Sequence, residues 1–242
     1  EQLAYWRAQL DGLEPLALNT DHPRPPVQTY AAGLVEVALP ADLAEGIEAV
    51  GREEGATLSM TLHAAFATLL ARTTGQEEVV VGSPIAGRGR LELEPLVGFF
   101  VNSLVLRADL SGDPTFREAV RRVRATAVDA YAHQDIPFEH LVKELEIDRD
   151  LSRSPLFQVL FSVHSPAEVP PSLDGLEAEP FERGVIASHA DIELHVMPGP
   201  GGLVARFVHN TDLFDRETAA RMLAHFRVLL EGVVADPDRP VS

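Results

Sequence analysis

Apolar residues recur along this chain in two rhythms, one of three to four residues and one of two. The helical rhythm holds from Ala41 to Glu54 and again over TLSMTLHAAFATLLARTTG. Thr57 stands where its hydroxyl caps the second of these helices, and Gly75 where a left-handed residue ends it. The β-branched run EVVVGSPIAGR then closes in a glycine-rich turn, the pattern of a strand buried on both faces. After the loop GRGRLELEPLVG comes a second strand, FFVNSLVLRADL. Asp113 and Pro114 are placed to open a helix with Phe116, Val120, Val123, Ala127 and Tyr131 on one face. Its arginines, Arg117, Arg121 and Arg124, read as a solvated face.

In HQDIPFEHLVKEL, Pro137 marks the first turn of another helix, with Asp135 expected to accept the amide hydrogen of Phe138. The apolar run PLFQVLFSVH predicts a buried strand, followed by a proline-rich loop, SPAEVPPSLDGLEAEP, and a short strand near FERGVIAS. ADIELHVM and LVARFVHN alternate with period two around PGPGG, the signature of a β-hairpin. Asp215 begins a closing helix with Ala219, Met222, Leu223, Phe226, Leu230 and Val233 on one face. At the other end, EQLAYWRAQLDGL is an amphipathic helix leading into the extended loop NTDHPRPPVQ. Helices interleaved with strands predict an α/β fold, a two-layer sandwich with a mixed β-sheet flanked by helices, in one unit over 1–242.

Composition narrows the chemistry. With 45% hydrophobic and 24% charged residues in 242, the chain has material for a sizeable core. A formal net charge of −17 works against nucleic acid and anionic membrane as partners, because both recruit basic side chains. The absence of cysteine removes thiolate metal sites and cysteine nucleophiles and fits a cytoplasmic location. No run reaches transmembrane length, no targeting segment is legible, and a helix starting abruptly at Glu1 suggests sequence upstream. No two of the nine histidines are adjacent and none has metal-ligand spacing, so no metal is expected. Phosphate loops, dinucleotide fingerprints, HExxH and GxSxG are all missing. His63, in an apolar helix, reads as a satisfied core histidine. His133, two residues from Asp135, reads as part of a helix-starting corner rather than a proton-transferring pair, since Pro137 already explains the spacing.

Several segments are more particular than a core requires: VVVGSPIAGR, GFFVNSLVLR, RDLSRSPLFQVLFSVH, HQDIPFEHLVKEL and NTDLFDRETAARMLAHF. With YWRAQLDGLEPL and PTFREAVRRVR, they resemble the condensation domains of nonribosomal peptide synthetases over essentially the whole chain. That resemblance implies a chloramphenicol acetyltransferase-like lobe, one of two that enclose a tunnel. Carrier proteins present phosphopantetheine-tethered substrates from its two ends, and the acceptor amine attacks the donor thioester to form an amide. The family's HHxxxDG motif lies on the first lobe and is absent from this chain. The chain therefore resembles the C-terminal lobe, with carrier proteins and the missing N-terminal lobe as partners and no cofactor of its own. In HNTDLFD, Asn210 stands where the motif's second histidine would fall and Asp215 one place late for its aspartate, so no catalytic residue is assigned. The resemblance places a floor loop near Ala86 to Val97 and a latch near Ser188 to Leu203. It offers Asn102, Ser103, Arg88 and Asp191 as substrate-tunnel residues, with Arg88 orienting the floor loop, the alternatives being a core amide for Asn102 and solvated side chains for Arg88 and Asp191. A latch without its partner would expose a strand edge and favour self-association. Two other readings stand beside this one: a noncatalytic carrier-protein-binding or scaffolding module, and a single-lobe CoA-dependent acyltransferase, which would need a histidine where Asn210 stands.

Overall fold

A computed structural model describes residues 2–145, 147, 150–164, 175–176 and 187–242. The expected proline-rich loop falls mostly outside these residues, as does most of the short strand near FERGVIAS. In chain order the elements are α1 (Gln2–Gln9), β1 (Ala32–Pro40), α2 (Ala41–Glu53), α3 (Leu58–Thr74), β2 (Glu78–Ile85), a 3-10 turn (Leu91–Leu93), β3 (Asn102–Asp109), α4 (Phe116–Ala132), α5 (Phe138–Glu144), β4 (Val159–Val163), β5 (Ile192–Gly199), β6 (Gly202–Asn210) and α6 (Arg216–Ala235).

Strand alternation decides which side chains meet the helices. The six strands form one sheet in the order β1-β6-β5-β4-β2-β3, with β4 parallel to both neighbours and the remaining pairs antiparallel. Val35, Val81, Val159, Phe161, Leu194 and Phe207 point to one face, where they pack with α2, α3, α4 and α6 in the main core. This is the two-layer mixed-sheet sandwich expected from the sequence. On the opposite face Val80 and Val105 are covered by Trp6 and Leu10 of the α1 segment and by Phe157. Gly82 has to be glycine here, because a Cβ would stand 2.3 Å from the Phe157 ring. Farther along that face, Glu36, Ala38, Met197, Val204 and Arg206 are exposed or half-buried.

Both local signals hold at α3, where the Thr57 hydroxyl accepts from the Met60 amide at 3.2 Å and Gly75 adopts φ 75°. At α4 the start lies further on than expected: Thr115 caps it, accepting from the Glu118 amide at 3.2 Å, while the Asp113 carboxylate takes the backbone and hydroxyl of Ser242. Arg121 and Arg124 of α4 are exposed, as a solvated face requires, while Arg117 is half-buried among acidic partners. Arg117 pairs with Glu53, Glu54 and Asp238, and Arg124 donates to the Gly55 carbonyl at 2.8 Å, tying α4 to the end of α2. His63 is buried as expected but not satisfied: Nε2 has no partner, the ring stacks on Phe161 at 5.6 Å, and burial pushes its pKa down to about 4.

Among the described residues the β5–β6 hairpin is paired on both sides over most of its length. β5 pairs with β4 from Ile192 to Val196, and β6 pairs with β1 along its whole length, so only the hairpin tip runs past β4. The sheet order puts the hairpin in the middle, and among the described residues the unpaired edge expected of the latch is confined to its tip, Met197 to Gly199. Among the described residues no helix is long and apolar enough to cross a membrane.

Candidate functional site

The loop between β2 and β3 is organised by Arg88. Its guanidinium folds back onto the carbonyls of Leu93, Glu94 and Gly98 and lies 4.3 Å over the Phe100 ring. Of the two readings offered for Arg88, orienting the loop is the one the geometry bears out. Gly87 permits this course, with φ 64° and the Phe100 carbonyl so near that a Cβ would be 1.9 Å from it. What the loop turns outward is apolar: Leu91, Leu96, Val97, Phe99 and Val101 are exposed, Phe99 at 89%. A cleft of about 490 Å³ lies between this loop and the α4–α5 corner, bordered by Gly87, Phe99, Asn102, Gln134 and Pro137.

Asn102 holds that corner together. Its Nδ2 donates to the carbonyls of Gln134 (3.0 Å) and Ile136 (2.9 Å), and its Oδ1 accepts from the amides of Ser103 and Phe138, each at 2.9 Å. Two donors and two lone pairs are the full capacity of a carboxamide, so the amide is spent on backbone and is not aimed into a tunnel. Asn102 thereby performs the capping expected of Asp135, which instead accepts from Gln2 Nε2 at 2.8 Å. Ser103 has the opposite orientation, sharing the α1 side of the sheet with Val105 and Arg107. His133 stacks on Tyr5 at 4.0 Å and donates Nδ1–H to the Asp129 carbonyl at 2.8 Å, so the reading as a corner rather than a proton pair holds. The Tyr5 hydroxyl is pushed up to about 12, first by burial and then by Asp129.

Asp191 faces neither tunnel nor solvent. It is 1% exposed and gripped by both terminal nitrogens of Arg24, whose Nη1 also reaches the Ser152 carbonyl at 3.2 Å. The loop carrying Arg24 crosses the start of β5, a contact between residues 167 apart that the hairpin pattern alone does not contain. Asn210 is occupied too: Nδ2 donates to the Thr29 carbonyl at 2.9 Å and Oδ1 accepts from the Asp212 amide at 2.9 Å. Asp215 sits at the N-cap of α6 as expected, but its carboxylate holds His22 at 2.9 Å rather than a helix amide.

The open sheet face carries a polar cluster that the sequence did not reveal as a unit. Parallel pairing sets Ser162 of β4 beside His195 of β5. Ser162 Oγ lies 2.8 Å from His195 Nδ1 and 2.9 Å from His164 Nε2, and His195 Nε2 lies 2.9 Å from Glu193 Oε2. Burial works to raise the Glu193 pKa, but hydrogen bonds from His195 and the His189 amide outweigh it and hold the carboxyl below its ordinary value. Burial pushes His164 down, helped by the neighbouring charges of His195 and Arg206. Glu193 and His195 were recognisable as face-mates on the hairpin. Ser162 and His164 alternate in the same way on their own strand, and only the parallel register joins the two pairs. Among the described residues no group of three or more acidic or histidine side chains is arranged to hold a metal.

Comparison with known proteins places this architecture. The Condensation domain family model matches residues 1–242. Linear gramicidin synthase subunits C and D of Brevibacillus parabrevis are 52% and 49% identical over 245 residues, covering all of this chain but only 3% and 5% of those proteins. Among solved structures, the X-domain from teicoplanin biosynthesis superposes with a TM-score of 0.91 at 30% identity, covering 99% of this chain and 55% of that one. The sandwich is thus of the chloramphenicol acetyltransferase-like type expected. The chain belongs to the condensation-domain family of nonribosomal peptide synthetases.

Proposed function

We propose that the chain is the C-terminal half of a condensation domain that joins a carrier-tethered acceptor amine to a carrier-tethered donor thioester. The observation that carries this reading is coverage: the family match spans the whole chain, yet the chain spans only 55% of the solved X-domain it superposes on. The HHxxxDG motif is not in the sequence. The other half would supply it, and would cover the apolar loop between β2 and β3. In the reaction the amine nitrogen bonds to the thioester carbonyl carbon, the carbon–sulfur bond breaks, and the nitrogen sheds a proton. Most of the rate comes from holding the two phosphopantetheine-borne reactants in attack geometry. Ser103 and the loop braced by Arg88 are this half's contribution to the tunnel wall, and the setting is the cytoplasm.

Amide formation from matched carrier-bound donor and acceptor, assayed with the chain alone and with an HHxxxDG-bearing half added, tests this. Product is expected only from the mixture; product from the chain alone overturns the reading. One observation favours a second reading, a noncatalytic binding module: the teicoplanin X-domain, also solved in complex with OxyB, is 30% identical to this chain. Under that reading the mixture makes no amide and the chain still binds a partner protein. Nothing favours a single-lobe CoA-dependent acyltransferase, since Asn210 occupies the position its histidine would need and spends its amide on the backbone.

A further inference from the structure

The cluster on the open sheet face has a direction. A carboxylate only accepts, so His195 Nε2 carries the hydrogen it shares with Glu193. His195 Nδ1 is then a lone pair, and the Ser162 hydroxyl donates to it. Ser162 Oγ in turn receives the hydrogen of His164 Nε2, which also points toward His195 Nδ1 at 3.2 Å. What remains is a lone pair on His164 Nδ1, at the exposed end of a chain whose inner end is a carboxylate 7% exposed. Every hydrogen points inward, toward negative charge.

We propose that His164, Ser162, His195 and Glu193 form a relay that accepts the proton released when the acceptor amine attacks the thioester. The assignment rests on the condensation reading above. His164 Nδ1 takes the amine proton as the carbon–nitrogen bond forms. His164 Nε2 passes its own hydrogen to Ser162, and Ser162 passes its hydrogen to His195 Nδ1. The resulting imidazolium is stabilised by Glu193, and the proton returns by the same path to the departing thiolate. In this scheme His164 touches the reacting nitrogen, whereas Ser162, His195 and Glu193 act through it as positioning residues. Among the described residues, the other charged groups around the relay are Arg206 on β6, opposite His195 and paired with Glu36 of β1 at 3.1 Å, and His189 just before β5. The facing part of β2, around Gly82, presents none among the described residues.

The test uses the complete domain, this chain joined to its HHxxxDG-bearing half. Breaking the chain with Ser162→Ala should lower kcat about a hundredfold at unchanged KM, the scale of general-base catalysis. His164→Gln should in addition remove the acid limb of the pH–rate profile, which the wild type shows below the ordinary histidine range as His164 is protonated. Ser162→Thr keeps the hydroxyl and should restore kcat. If Ser162→Ala does not fold, as judged by circular dichroism, His164→Gln at the exposed end makes the same test. Wild-type kcat in these variants, with an intact acid limb in His164→Gln, overturns the relay and leaves the condensation reading standing. A wild-type domain that makes no amide overturns both.

Discussion

Asn102 shows how one side chain can organise a site without entering its chemistry. A lone carboxamide among Leu104 and Leu106 was conspicuous in the sequence, but three of its four partners lie 32 to 36 residues away and the sequence does not name them. Replacing it with alanine strands two amides and two carbonyls at a half-buried corner, so Asn102→Ala should cost about 1–3 kcal/mol in chemical denaturation. Asp135→Ala, which loses an exposed contact to Gln2, should fall within about 0.5 kcal/mol. Equal effects of the two would restore Asp135 as the cap. The same distance problem hid Arg24 from Asp191 and Ser162 from His195: the residues were visible and their pairing was not.

At the scale of elements, what is local was legible. Thr57 and Gly75 bound α3 because capping involves residues three or four apart. The start of α4 was misplaced because Pro114 is compatible with a first turn, while the Thr115 hydroxyl reaches the Glu118 amide and wins the cap. α3 also carries the clearest acid-sensitive group. His63 has a folded pKa of about 4 against 6.5 for the ordinary side chain. The unfolded chain therefore binds the proton first, and stability is full above the ordinary value and declines as pH falls from 6.5 toward 4. The shift corresponds to about 3 kcal/mol at its limit. Unfolding midpoints in urea at pH 7.5 and 4.5 should therefore converge in His63→Leu relative to wild type. An unchanged gap between the two pH values would show that other groups govern acid sensitivity.

Among the described residues, the molecule is a sheet with one face sealed by helices and the other covered in part by the α1 segment and Phe157. Among the described residues, the loop from Leu91 to Val101 gathers several exposed apolar side chains and is braced from behind by Arg88. If a second lobe docks there, amide hydrogen exchange in this loop should slow severalfold when the HHxxxDG-bearing half is added, while exchange in α6, on the far side of the sheet, stays unchanged. Uniform protection, or none, would remove this loop as the contact.

By itself the sequence determined the element types, most of their boundaries, the fold class and the family, because periodicity, capping and ordered motifs are carried by residues close along the chain. Tertiary structure alone decided three things: that the hairpin lies inside the sheet rather than at an edge, that Asn102 faces α5, and that Ser162 and His164 meet His195 and Glu193. Each depends on strand order and parallel register. These are set by which apolar faces can be buried together, and no local stretch of sequence records that choice.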